Sequence, residues 1–294
     1  VAGRVRALRA GGAADPRGSL ALMHPILVDF GTFNLPGLGT THLFLPSYGV
    51  IFAAGALCAW WWFVARARRL NLPQEPVFNL AFYTLLAGLF GAKLTLIVVD
   101  LPYYAAHPME ILGTIRSAGV LMGGVLAGAV AFVLYARKQN LPLYTLGDAI
   151  AAPLALAQGI GRLGCFAAGC CYGVGTDSWC AIRFTSEAAH DQTGVPLGAP
   201  LVPVQLIEFA FDLALAAVLT WAWRRRLRPA GTVAWIYFVL YGAGRATIEM
   251  WRGDSVRGLW FGGAVSTSQL FSVAAVVAGV ILLIRDRLRT PRTA

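Results

Sequence analysis

Nine ionisable residues stand inside or beside long apolar runs of this chain: Lys93, Asp100, Asp148, Arg162, Glu208, Asp212, Arg245, Glu249 and Arg252. Charge in such segments is costly, so each is first a functional candidate. Glu208 and Asp212 are four apart and share a helical face. Tyr241, Arg245 and Glu249 repeat that step, and Arg252 extends the stripe. A guanidinium at the depth of lipid phosphates can grip one bidentately. Arg245 and Arg162 could both do so, which suggests a phospholipid head-group site. The alternative is an internal ion pair that satisfies two costly groups; for Glu208 and Asp212 the two readings stand level. The second reactive set is sulfur. Cys165, Cys170, Cys171 and Cys180 fall in one polar stretch, and Cys58 lies in an apolar run. Disulfide staples, a thiol activated beside Arg162, and zinc are three readings of that set. Four cysteines allow three full pairings, and a bond between adjacent Cys170 and Cys171 would be strained. The spacing is not a recognised zinc pattern. No metal and no cofactor is expected.

The elements that must carry these residues are membrane spans. The chain has 294 residues, 57% hydrophobic and only 13% charged, with a mean hydropathy of +0.65. Soluble domains carry about 25% charged residues, so a soluble enzyme is disfavoured and a disordered chain is excluded. The net charge of +10 comes from short basic clusters between apolar runs, which argues against nucleic acid as a partner. Seven segments are long and apolar enough to span: roughly 46–65, 77–99, 119–136, 144–161, 203–223, 232–251 and 265–284. The fourth is the weakest, because it contains Asp148 and many Ala and Gly. Basic clusters follow the odd-numbered spans: Arg66, Arg68 and Arg69; Arg137 and Lys138; Arg224, Arg225, Arg226 and Arg228; Arg285, Arg287, Arg289 and Arg292. The positive-inside rule puts them in the cytoplasm. The expected fold is therefore an all-α polytopic membrane protein with seven transmembrane helices. Its N-terminus lies outside, its C-terminus is cytoplasmic, and residues 162–202 form a small extracytoplasmic head.

Residues 1–22 have four arginines and no long apolar core, a poor signal peptide. They are expected to be a disordered extension or an artefact of the gene model, with Met23 the true start. Residues 23–288 form the membrane domain and 289–294 a cytoplasmic tail. Trp60, Trp61 and Trp62 read as lipid-facing or interfacial anchors. Gly88, Gly91, Gly119, Gly123, Gly124 and Gly128 read as small-residue faces for close helix packing.

In order and spacing, these residues resemble the prolipoprotein diacylglyceryl transferase family across essentially all of 23–288. Met23-His24-Pro25 begins a segment similar to the family's N-terminus, and Pro46-Ser47-Tyr48-Gly49 is similar to the start of its first span. Gly91-Ala92-Lys93-Leu94 resembles Gly-x-Arg-Leu, and Gly123-Gly124-Val125-Leu126-Ala127-Gly128 resembles the end of His-Gly-Gly-Leu-x-Gly. Asp148, then Gly161-Arg162-Leu163-Gly164-Cys165-Phe166, resembles the signature that ends Gly-Arg-Ile-Gly-Asn-Phe. Pro203-Val204-Gln205-Leu206-Ile207-Glu208 resembles Pro-Ser-Gln-Leu-Tyr-Glu. Tyr241-Gly242, Arg245, Glu249 and Arg252 match Tyr-Gly-x-x-Arg-Phe-x-x-Glu-x-x-Arg, and Gln269 to Ser272 match Gln-x-x-Ser.

The resemblance implies transfer of the diacylglyceryl group of phosphatidylglycerol to the lipobox cysteine of a preprolipoprotein signal peptide, in the bacterial cytoplasmic (inner) membrane. The products would be a thioether and glycerol phosphate. It implies that Arg162, Arg245, Tyr241 and Glu249 are catalytic. It also implies that Arg162, Tyr48, Lys93, Gly123, Gly124, Asp148, Gln205, Glu208, Arg252 and Gln269 bind substrate. Three departures matter. Met122 replaces the family His and cannot take a proton, Cys165 replaces the signature Asn, and Cys170 stands where a Glu is usual. They motivate two alternatives: a paralogue with another lipid donor or acceptor, and a membrane thiol-redox protein. Against the latter, a Cys-x-x-Cys is absent.

Overall fold

The computed structural model describes residues 24–35, 39–114, 119–254 and 258–289. The expected extension 1–22, and the tail 289–294 beyond its first residue, lie outside them. The described residues open on an antiparallel ribbon, β1 (Ile26–Leu35) with β2 (Gly39–Pro46). This corrects the all-α expectation: both runs are rich in β-branched and aromatic residues, and neither has a helical apolar period.

Helices then dominate. They are α1 (Ser47–Arg69), α2 (Gln74–Val99), the short α3 (Leu101–Ala106) and α4 (Glu110–Gly113), then α5 (Leu121–Lys138) and α6 (Leu143–Ala168). The short α7 (Glu187–Thr193), α8 (Val204–Arg224) and α9 (Thr232–Ile248) follow. A two-residue pair, β3 (Leu259–Trp260) with β4 (Val265–Ser266), precedes α10 (Thr267–Arg289). Pro46, Pro73, Pro142 and Pro203 stand immediately before α1, α2, α6 and α8. Proline fits a helix entry because it has no N–H to lose.

Among the described residues, six helices are long and apolar enough to cross a membrane. The exception among the expected spans is α9, with 17 residues, about 26 Å of helix. A 3-10 turn, Glu249–Trp251, continues it. The weakest sequence segment proves central: half of the apolar stretch of α6 is buried. Its Ala and Gly content is what permits close contact with α1, α8 and α9. Exposed Phe90, Val99 and Leu134 show the opposite character on α2 and α5.

Basic helix ends gather at one end of the bundle. Arg66, near the end of α1, is buried between the rings of Trp62 and Trp223, each 4.6 Å away. It donates to Thr220 Oγ1 at 2.9 Å. The starts of α6 and α9 and the end of α10 meet there too: Tyr144 packs on Trp235, and the Trp235 indole donates to Asp286. Of the tryptophan run, Trp61 is exposed, Trp60 packs on Phe78 and Phe82, and Trp62 serves Arg66.

At the opposite end, the segment after α6 folds on a small core of Phe166, Phe184, Ala189, Val195 and Leu201. The expected loop start at 162 is corrected. The helix runs on to Ala168 and stops where Gly169 takes a left-handed conformation (φ +78°). Arg162 and Cys165 are thus helical residues.

Candidate active site

Arg162 on α6, Glu208 on α8 and Arg245 on α9 meet where these three helices pack. Arg162 Nε lies 2.8 Å from Glu208 Oε2, and Arg245 lies 3.0 Å from Glu208 Oε1. Arg245 also reaches Glu249 at 2.5 Å, one turn along its own helix. Glu249 lies 3.5 Å from Arg252, whose fork grips Asp254 at 2.9 and 2.6 Å. Three guanidiniums therefore alternate with three carboxylates, from α6 through α8 and α9 to the segment after the 3-10 turn. Buried charges persist only when paired, and alternation pairs each one.

Glu208 and Asp212 differ in this arrangement. Glu208 is an ion-pair partner, with one oxygen to each arginine. Asp212 is buried, and its Oδ1 has no hydrogen-bond partner among the described residues. The Glu208 contacts are close, yet neither Glu208 oxygen accepts a well-aligned N–H. Guanidinium hydrogens of Arg245 thus remain open to another acceptor.

Arg162, Glu208, Phe211, Asp212, Tyr241, Arg245 and Ile248 line a cavity of about 10 Å³. That is space for about one water. A phosphate enters only if its walls part. Tyr241 is fixed by stacking on Tyr237, ring centroids 5.3 Å apart. It lies within electrostatic reach of Arg162, Asp212 and Arg245. Tyr48, at the start of α1, packs on α6 at Gly164, where a Cβ would stand 3.2 Å from its ring. It senses both Arg162 and the cysteines.

Five residues grouped with substrate by resemblance have structural partners. Asp148 accepts from the backbone N–H of Gly231 (2.7 Å) and of Ala234 (2.9 Å), capping α9. It is fourteen residues from Arg162 on one helix, about 21 Å away, at the other end of the molecule. Gln269 completes a capping box at the start of α10. Its Oε1 accepts from Ser266 N at 2.9 Å, and Ser266 Oγ accepts from Gln269 N at 3.1 Å. Gly123 and Gly124 are where α5 meets α2. A Cβ on Gly123 would collide with Thr95, and one on Gly124 would stand 2.9 Å from the Gly88 carbonyl. Lys93 donates to the Thr114 carbonyl.

Cys165, Cys170 and Cys171 converge, with their Sγ atoms all within 4.8 Å. All five cysteines are free thiols. Cys180 is exposed and contacts the Ser178 hydroxyl. The turn at Gly169 folds Cys170 back, and its N–H donates to the Cys165 carbonyl at 3.1 Å. Gln205 donates to the Cys170 carbonyl at 2.8 Å. Hydrogen bonds from the thiols of Cys165 and Cys170 pull the Cys171 thiol below the ordinary range, and the charges of Arg252 and Arg162 add to this against burial. The same thiol contacts push Cys170 up. Backbone pairing explains why Arg252 is at hand: Val174 N donates to Trp251 O, and Gly253 N to Tyr172 O, both at 2.9 Å. Sequence reasoning passed over Asp254. Its signal is the Arg-Gly-Asp spacing, in which the glycine lets the backbone pass Gly173, whose carbonyl would stand 2.6 Å from a Cβ.

The model of a family described as prolipoprotein diacylglyceryl transferase matches residues 39–285. A relative from Clostridium tetani, named phosphatidylglycerol–prolipoprotein diacylglyceryl transferase, is 33% identical over 91% of this chain and 99% of its own length. One from Clostridium perfringens, carrying the same name with the number 2, is 30% identical over 83% of this chain and 91% of its own. One from Synechococcus elongatus, with the same name, is 29% identical over 81% and 82%. The chain belongs to the prolipoprotein diacylglyceryl transferase family.

Proposed function

We propose that this protein transfers the diacylglyceryl group of phosphatidylglycerol to the lipobox cysteine thiol of preprolipoproteins. It acts as a multi-pass enzyme of the bacterial cytoplasmic membrane. In this reading α9 and its 3-10 extension complete seven spans, the basic helix ends face the cytoplasm, and the N-terminus lies outside. Nucleic acid is not a partner. The observation that carries the reading is the Arg162–Glu208–Arg245–Glu249 chain at the outer end of the bundle.

The chemistry needs a cation at the leaving group. The acceptor sulfur attacks the glyceryl carbon that bears phosphate, the C–O bond breaks, and its electron pair leaves on glycerol phosphate. Negative charge grows on the phosphate, so Arg162 and Arg245 stabilise the transition state more than the bound lipid. Glu249 holds Arg245 in place. Tyr241 and Tyr48 are placed to hydrogen-bond the head group. Gln205 and Arg252 act one step further out, by holding Cys170 and Glu249. Gly123 and Gly124 serve the α2–α5 pair in this reading, Lys93 ties α2 to the Thr114 carbonyl, and Asp148 and Gln269 cap helices.

The test is direct. Purified protein is mixed with phosphatidylglycerol and a lipobox peptide, and mass spectrometry looks for a diacylglyceryl adduct on the peptide cysteine. The expected result is an adduct that is lost in Arg162→Ala. Folded protein that yields no adduct from phosphatidylglycerol, but does from another lipid, would establish the paralogue reading instead. The three-thiol cluster in place of the signature Asn and Glu is what favours that second reading.

A further inference from the structure

The transferase reading leaves one step without an agent. The acceptor thiol must lose its proton, because the thiolate is the nucleophile. Met122 cannot accept it. The cysteine cluster offers a different agent. Tetrahedral zinc with Zn–S bonds of about 2.3 Å sets its sulfurs about 3.8 Å apart. The three Sγ atoms already lie within 4.8 Å of one another, so closure by about an ångström completes three ligands. Among the described residues, no fourth His, Cys, Asp or Glu joins the group. Three protein ligands and an open fourth position are the pattern of a reactive zinc site rather than a structural one.

We propose that Cys165, Cys170 and Cys171 hold a zinc ion whose fourth position takes the acceptor cysteine. The acceptor half of this rests on the transferase reading; the metal half does not. The surroundings fit. Three thiolates and Zn(II) sum to −1, and the guanidiniums of Arg162 and Arg252 stand within electrostatic reach of Cys171. Gln205 fixes the Cys170 carbonyl at 2.8 Å, so the turn carrying two ligands is tied to α8. Arg162 also touches Glu208, which places the cluster beside the head-group site. No cofactor was expected from sequence, because Cys-x4-Cys-Cys spacing shows no zinc pattern; the left-handed turn at Gly169 is what gathers the sulfurs.

The step balances without a redox partner. The acceptor S–H binds zinc and releases its proton to water, as a coordinated thiol does. The zinc-bound sulfur forms the S–C bond, the C–O bond breaks, and zinc stays divalent. The product thioether is uncharged and a poorer ligand, so it leaves.

The experiment uses the full chain in detergent under reductant, loaded with zinc, desalted and assayed by mass spectrometry for metal. Equimolar zinc is expected, lost in Cys170→Ser and Cys171→Ser but kept in Cys58→Ser and Cys180→Ser. Cobalt loading should give thiolate charge-transfer bands that change when the lipobox peptide is added, and not with its Cys→Ser form. Stripping and restoring zinc in the unsubstituted protein reads the same site without risk to folding. Zinc retention no greater than in Cys170→Ser and Cys171→Ser overturns the metal site. Cobalt bands indifferent to the peptide, or full adduct formation by stripped protein, overturn the acceptor role while the transferase stands. Zinc binding with no adduct from any form overturns the transferase reading and the acceptor role, but leaves the metal site.

Discussion

Arg245 and Arg162 share Glu208, yet the two should answer differently to substitution. Arg245 is 8% exposed and holds two buried carboxylates. Arg245→Met leaves Glu208 and Glu249 without it, a change that costs about 3–5 kcal/mol in buried pairs. Thermal unfolding should show a large fall in Tm. Adding Glu208→Gln should return part of it, because one orphaned charge is removed. Arg162 is more accessible, at 15%. Arg162→Lys keeps the charge and loses the fork, so the fold should survive while turnover drops by about 10²–10³. Turnover unchanged in folded Arg162→Lys would remove this residue from the chemistry. Asp148 makes the contrast. Asp148→Ala takes a cap from α9 and should cost about 1–2 kcal/mol of stability. KM for phosphatidylglycerol should not move in the folded fraction; a raised KM would return Asp148 to the binding site. The ionisable residues were legible in sequence because charge is rare in apolar runs. Their separation into network and cap was not, since Asp148 and Arg162 share one helix and only distance divides them.

At the scale of elements, small residues decide which helices touch. The α2–α5 contact depends on Gly91, Gly123 and Gly124, each without room for a Cβ. Gly124→Ala puts a methyl 2.9 Å from the Gly88 carbonyl, and overpacking of this kind costs about 1–3 kcal/mol. The expected outcome is a lower Tm with KM for the lipid unchanged. A raised KM at unchanged Tm would show that Gly124 faces substrate. Helix positions were legible to within a few residues, because Pro and Gly punctuate them. The ribbon β1–β2 was not, since a short apolar run looks alike as strand or helix. The reach of α6 to Ala168 was missed for a related reason. Gly161, Arg162 and Gly164 look like a loop by composition, but contacts with Tyr48 and Glu208 hold them helical.

For the whole molecule, the site and the basic helix ends lie at opposite ends of α6, whose 26 residues make about 39 Å of helix. That length exceeds a hydrocarbon core of about 30 Å, enough to span it. In the proposed orientation the basic end belongs to the cytoplasm by the positive-inside rule, and the arginine network and the cysteine cluster then stand at the outer surface, where secreted lipoproteins present their lipobox. Thiol labelling reads this without disturbing the site. Cys180 is exposed in the segment that follows α6, whereas Cys58 is exposed on the apolar α1. A charged, membrane-impermeant maleimide added to intact spheroplasts should modify Cys180 and spare Cys58, because lipid excludes the reagent. With Cys180→Ser in place, Arg225→Cys at the other end should label only after the membrane is opened. Labelling of Arg225→Cys from outside, with Cys180 protected, would invert the molecule and put the site on the side where no translocated lipoprotein waits.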